Sequence, residues 1–174
     1  VVTWGDARCG GDCSVVAARL AARVISTTGN NSAFAALKDT CEVVTWGHED
    51  GGGDCSTVAD RLTDSVVSIS ETHAAFAALK NTGEVVTWSH EDCGGDCSVV
   101  ADRLTDCAVS ISGNRAAFAA LKITGEIVTW GDENCGGDCS AVADRLTDGV
   151  VSISGTLVAF AALKSTGEVV TWGA

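Results

Sequence analysis

Apolar residues in this chain fall in short runs that recur in a fixed order. In the last copy, Val150–Ser154 (VVSIS) is rich in β-branched residues and reads as a strand. Ala159–Lys164 (AFAALK) follows as a second strand, and Glu168–Trp172 (EVVTW) as a third. Between those two lies Ser165-Thr166-Gly167, a turn in which glycine supplies the left-handed conformation. Strand alternation sends Phe160, Ala162 and Lys164 to one side and Ala159, Ala161 and Leu163 to the other. Val170 and Trp172 likewise oppose Val169 and Thr171. Neither face is polar, so both must be covered. Stacked copies would cover them, with alanine allowing close approach and tryptophan filling the gap.

The pattern repeats every 42 residues without insertion or deletion: Val1–Glu42, Val43–Glu84, Val85–Glu126, Ile127–Glu168 and a partial fifth unit, 169–174. The whole of 1–174 is thus a single repeat domain. Five VVTWG-type strands are predicted, carrying Trp4, Trp46, Trp88, Trp130 and Trp172 as structural residues. The first copy drifts most, and Cys41 stands where the others have Gly83, Gly125 and Gly167, which should strain its turn or shift its type. Between hairpins runs a Gly-rich acidic loop, Gly131–Asp138 in the fourth copy, and then Cys139–Leu146. Val142 and Leu146 lie four apart, and Asp138 or Ser140 can cap a first turn, so the segment reads as a helix of about two turns. A loop that docks Val142 and Leu146 is the alternative.

The stretch VVSIS…AFAALKSTGEVVTWG, Val150–Gly173, resembles the repeat of the regulator of chromosome condensation family. The Trp-Gly pairs at Trp4-Gly5, Trp46-Gly47, Trp130-Gly131 and Trp172-Gly173 carry the resemblance, with Trp88-Ser89 departing from it. The GGDCSxVAxxL segment is similar to a variant in long microbial repeat proteins, which have serine where Cys13, Cys55, Cys97 and Cys139 stand here. The resemblance implies a seven-bladed β-propeller, yet seven blades at this period need about 294 residues. The expected fold is therefore mainly β: an open, propeller-like arc of about four blades, each with a short helix. A closed four-blade ring and a β-solenoid are the alternatives.

The net charge of −12, from 23 acidic and 11 basic side chains, excludes phosphate-driven nucleic-acid binding. No apolar run reaches the ~18–20 residues needed to cross a bilayer. A chain opening on Val1 without Met or a secretory signal reads as processed or as a fragment. Three copies carry Cys-Gly-Gly-Asp-Cys, so Cys9/Cys13, Cys93/Cys97 and Cys135/Cys139 are candidate disulfides, whereas Cys41, Cys55 and Cys107 are single. Bridged pairs would place the protein in an oxidising luminal or extracellular space, and free thiols leave its location open. His90, Cys93 and Cys97 offer three soft zinc ligands, but Asp6 and Asp132 replace His90 in other copies. Asp132, Glu133, Asn134 and Asp138 are oxygen donors for calcium, at a spacing that matches no calcium loop considered.

No phosphate loop or dinucleotide fingerprint is present, none of His48, His73 and His90 has a nucleophile partner, and no cofactor is implied. The expected role is a non-catalytic repeat scaffold for protein–protein interaction. Its variable positions, 48–51, 71–74, 113–116 and 155–158, would decorate a constant frame. A peripheral subunit of a large assembly, its open edges completed by another chain, is the second reading. A thiol- or metal-binding repeat protein is the third.

Overall fold

The structure, a computed structural model, describes residues 1–173. Its strands form four separate antiparallel sheets of three. The first holds β1 (Val24–Gly29), β2 (Ala33–Lys38) and β3 (Val43–Gly47); the second holds β4 (Val66–Glu71), β5 (Ala75–Lys80) and β6 (Val85–Ser89). The third holds β7 (Ala108–Gly113), β8 (Ala117–Lys122) and β9 (Ile127–Gly131); the fourth holds β10 (Val150–Gly155), β11 (Ala159–Lys164) and β12 (Val169–Gly173). Each sheet takes its third strand from the VVTWG-type segment that opens the next copy. Register pairs Phe34 with Trp46, Phe76 with Trp88, Phe118 with Trp130 and Phe160 with Trp172. The paired rings stack at 5.3–5.5 Å.

The AFAALK strand has the two faces its alternation predicts. Phe76 and Ala78 join Val86 and Trp88 on one side of the second sheet, while Ala33, Ala35, Leu37 and Val43 of the first sheet meet that cluster from across the joint. Successive sheets touch through their first strands, β1 with β4, β4 with β7 and β7 with β10, and through β2 with β4 and its equivalents. Their third strands are held apart by the intervening loops. Convergence on one edge and splay on the other is propeller geometry. The sheets do not pair with one another, and the fourth sheet leaves one face open, so the arrangement is an open four-blade arc rather than a closed ring or solenoid.

Two expectations need correction. Val1–Gly5 forms no strand and Trp4 is 84% exposed, so it is not a structural residue like the other four tryptophans. Every AFAALK strand already pairs with the VVTWG-type segment that follows it, which leaves Val1–Gly5 without a partner. The predicted two-turn helix is a 3-10 helix at Ser56–Arg61, Ser98–Arg103 and Ser140–Arg145; only the first copy has an α-turn, α1 (Ala17–Leu20). Six residues are too few to repay α-helix nucleation, so docking of Leu62, Leu104 and Leu146 sets the local winding instead. Each first strand also carries a β-bulge, between Val66 and Ser68 in the second sheet, which turns Val67 outward.

Candidate functional site

The loops between sheets are the joints of the arc. Residues 48–65 lie between the first and second sheets and bond to both. On the first sheet, Asn30 Nδ2 donates to Gly51 O at 2.7 Å, Thr45 Oγ1 to Gly53 O at 2.9 Å and Val43 N to Leu62 O at 2.9 Å. On the second, Trp88 Nε1 donates to Gly52 O at 3.1 Å, and Arg61 pairs with Glu84 at 2.6 Å. The same indole bond joins Trp46 to Gly10, Trp130 to Gly94 and Trp172 to Gly136. Gly94 must be glycine: its φ is +86°, and a Cβ there would lie 2.6 Å from the Phe118 ring.

This geometry gathers the variable positions on one edge. The loops after β1, β4, β7 and β10 and the loops after β3, β6 and β9 meet at the same ends of the sheets. His48 N donates to Ser32 O at 2.8 Å and His90 N to Ala74 O at 3.3 Å, tying the two sets together. Along this rim a backbone ladder steps from sheet to sheet: Asn31 N to His73 O, His73 N to Arg115 O and Arg115 N to Leu157 O, at 3.4, 3.0 and 3.2 Å. The ladder itself is made of backbone groups, so the differing side chains at these positions do not foretell it; the His73 ring adds one contact, from Nδ1 to Arg115 O.

Between successive loops the rim is grooved and acidic. One groove is lined by Glu49, Asp50, Asp54 and His90, and the next by Glu91, Asp92, Asp96, Asp132 and Glu133. Loop backbone holds many of these carboxylates in place. Asp54, Asp96 and Asp138 accept from the backbone N–H two residues on, at 2.7–2.8 Å. In the first copy, the Arg8 backbone N–H holds Asp6 below the usual carboxylate range, and the Ser14 N–H does the same for Asp12. Asp6 and Asp12 therefore stay ionised at neutral pH. On the opposite edge, Arg19–Glu42, Arg61–Glu84, Arg103–Glu126 and Arg145–Glu168 repeat one exposed pair in all four copies. Its 23-residue spacing was visible in the sequence as a recurring Arg and Glu.

The cysteines and the zinc candidates divide differently from their spacing. All nine cysteines are free thiols, so Cys9/Cys13, Cys93/Cys97 and Cys135/Cys139 are unbridged in this structure. Cys93 is buried with its sulfur 3.8 Å from His73 Nε2, a residue of the preceding sheet, rather than beside His90. Cys135 is buried with its sulfur 3.8 Å from Asp132. Burial pushes both thiols up, and neighbouring aspartates add to the effect, so both are protonated, weak nucleophiles at neutral pH. His90, Cys93 and Cys97 do not come together as a ligand set, and no group of three or more His, Cys, Asp or Glu does so among the described residues. The calcium candidates Asp132 and Asp138 serve as loop caps, accepting from Asn134 N and Ser140 N.

No protein-family model matches this chain, and no curated protein matches it. Solved structures do. Prp20p from Saccharomyces cerevisiae, described with its binding to Gsp1p and histones, superposes at a TM-score of 0.63 and 20% identity, over 90% of this chain and 45% of its own. Yeast RCC1 (Prp20) bound by Kap60 gives 0.62 at 20% identity, over 89% of this chain and 44% of its own. Human WBSCR16 gives 0.55 at 18% identity, over 86% and 47%. This chain spans less than half the length of each. At these identities the likeness is one of fold, and the fold is that of an RCC1-like β-propeller arc.

Proposed function

We propose that this chain is a non-catalytic interaction scaffold whose loop rim binds a basic segment of another protein. The observation that carries this reading is the pair of acidic grooves between successive loops, on the edge that also gathers the variable positions. A net charge of −12 gives the rim a long-range pull on a cationic partner and speeds encounter. The propeller neighbours support a binding role, since Prp20p is described with Gsp1p and histones. Buried, protonated Cys93 and Cys135 and the dispersed histidines give no matching support for thiol or metal chemistry.

The test is binding of a fluorescent Lys/Arg-rich peptide, followed by anisotropy from low to moderate salt. Binding should weaken steadily with salt, as expected for exposed charges separated by about a Debye length. Glu91→Lys with Asp132→Lys should weaken it about tenfold, a loss of about 1.4 kcal/mol. Arg103→Glu on the opposite edge should not weaken it. Absence of binding at low salt, or equal effects from the two edges, overturns the reading.

A further inference from the structure

Each first strand keeps an aliphatic residue where its bulge turns the chain outward. Ile25, Val67, Val109 and Val151 are 64%, 49%, 49% and 54% exposed. Val67 and Val109 stand in the second and third sheets, each with a sheet on either side, so their exposure belongs to the repeat itself. A second exposed position, in the turn after each AFAALK strand, is filled by Asp39, Asn81, Ile123 and Ser165 and keeps no character at all. Strand propensity does not explain the contrast, because threonine at the bulge would satisfy it equally well. Single exposed aliphatics are ordinary; a row of them marks a contact surface.

The four positions do form a row. First strands of successive sheets adjoin where the arc converges, and Ser70 Oγ of β4 donates to Ile111 O of β7 at 2.9 Å. In the third sheet the row widens, because Ile123 is 75% exposed and its amide donates to Cys107 O at 2.8 Å, two residues from Val109. Beside the row stand Asp64, Asp106 and Asp148, all exposed and each three residues before its valine. Lys80 and Lys164 approach Asp64 and Asp148 at 3.8 and 3.6 Å, but both lysine side chains are mostly buried while the aspartates face water. The first copy has Ala22 there, with Arg23 paired to Asp39 at 2.7 Å, so the acidic flank runs along the last three copies.

We propose that this row, centred on Val67, Val109 and Ile123, docks a basic amphipathic helix of another protein. Such a helix presents an apolar stripe with Lys and Arg on its flank, which matches an aliphatic row bordered by carboxylates. An extended segment fits less well, because alternate residues would turn away and carry its cations off the aspartates. The row lies on the inner strands toward the edge opposite the loop rim, so it is a second surface and does not rest on the rim reading.

Fluorescence anisotropy tests it with two labelled peptides of identical Leu/Lys composition. One places Leu at i, i+3, i+4 and i+7 with Lys on the flanks; the other is scrambled. At moderate salt, where charge-driven rim binding is weakened, the amphipathic peptide should bind the unmodified chain at least tenfold more tightly. Val109→Ser with Ile123→Asp should bring the two peptides within about twofold of each other. Ile123→Asp alone, which installs the residue that Asp39 already provides in the first copy, should lower the preference severalfold. Glu91→Lys with Asp132→Lys on the rim should leave the ratio between the peptides unchanged. Equal affinity of the two peptides for the unmodified chain overturns the proposal. So does a preference that survives Val109→Ser with Ile123→Asp, or one removed by the rim substitutions. Binding of the Lys/Arg-rich peptide reports on the rim alone, so the two readings fail independently.

Discussion

Replacing Trp130 by phenylalanine tests whether the indole–loop bond holds a joint together. Trp130 is 1% exposed, stacks on Phe118 at 5.3 Å and donates from Nε1 to Gly94 O at 3.0 Å. Phenylalanine keeps an aromatic face against Phe118 but deletes the donor. A buried carbonyl left without a partner costs about 1–3 kcal/mol. The lost ring area, on the order of 40 Å², adds about 1 kcal/mol at 25 cal/mol per Å². The expected loss is therefore about 2–4 kcal/mol, a large share of the ~5–15 kcal/mol that holds a typical domain. Trp4→Phe is the matched control: at 84% exposed it should change stability by less than about 0.5 kcal/mol. Urea unfolding followed by far-UV circular dichroism reads both. Because stability in repeat arrays is nearly a sum over neighbours, a broken internal joint should also broaden or split the transition. Equal, small losses for the two variants would refute the reasoning.

Cys41 holds a left-handed φ of 64° where the other copies use glycine, and keeps the same turn bond, Cys41 N to Lys38 O at 2.9 Å. Relief of about 1–2 kcal/mol of side-chain strain, offset by the greater freedom of glycine in the unfolded chain, predicts that Cys41→Gly raises stability by ~0.5–1 kcal/mol in the same urea assay. Arg19 holds Glu42 below the usual carboxylate range, and Arg145 does the same for Glu168. Their contribution is full above the unfolded value of about 4.3 and is lost as pH falls through the depressed folded value, so Tm should hold from neutral pH to about 5 and drop below about 4. Glu42→Gln should shallow that acid limb in calorimetry. A thiol-specific chromogenic reagent should label Cys9 rapidly and reach Cys93 and Cys135 only in denaturant; mass mapping that finds those two labelled in the native protein would contradict their burial.

Much of the fold was legible because the same hairpin is written four times. The alternation of Phe160 and Ala162 against Ala161 and Leu163 named two buried faces, and the structure buries both wherever a following sheet exists. What the sequence hid has physical reasons. The bulge at Val67 depends on pairing with Leu79 and Lys80 rather than on any residue type in VVSIS. Trp4 shares its motif with Trp46, but burial needs an AFAALK strand to pair with, which a local motif does not report. The rim was only half visible: its variable positions and its acids could be named, but not that separate loops bring them to one edge. The acceptors at the joints, Gly52 O and Gly94 O, are backbone atoms without a side-chain signature. His73 meets Cys93 across a joint, so the spacing of His90 and Cys93 pointed to the wrong pair.

Amide hydrogen exchange tests most directly the claim that each loop is clamped between two sheets. In the interior, Val43, Val85 and Ile127 donate their amides to Leu62, Leu104 and Leu146 O at 2.9–3.0 Å. The amide of Val169 occupies the same position on the open tail face, with no following loop to receive it among the described residues. The amides of Val43, Val85 and Ile127 should exchange at least a hundredfold more slowly than that of Val169, a difference of about 2.7 kcal/mol in opening free energy. Equal exchange at all four positions would show that the loops do not clamp the sheets, and the account of the arc would be wrong.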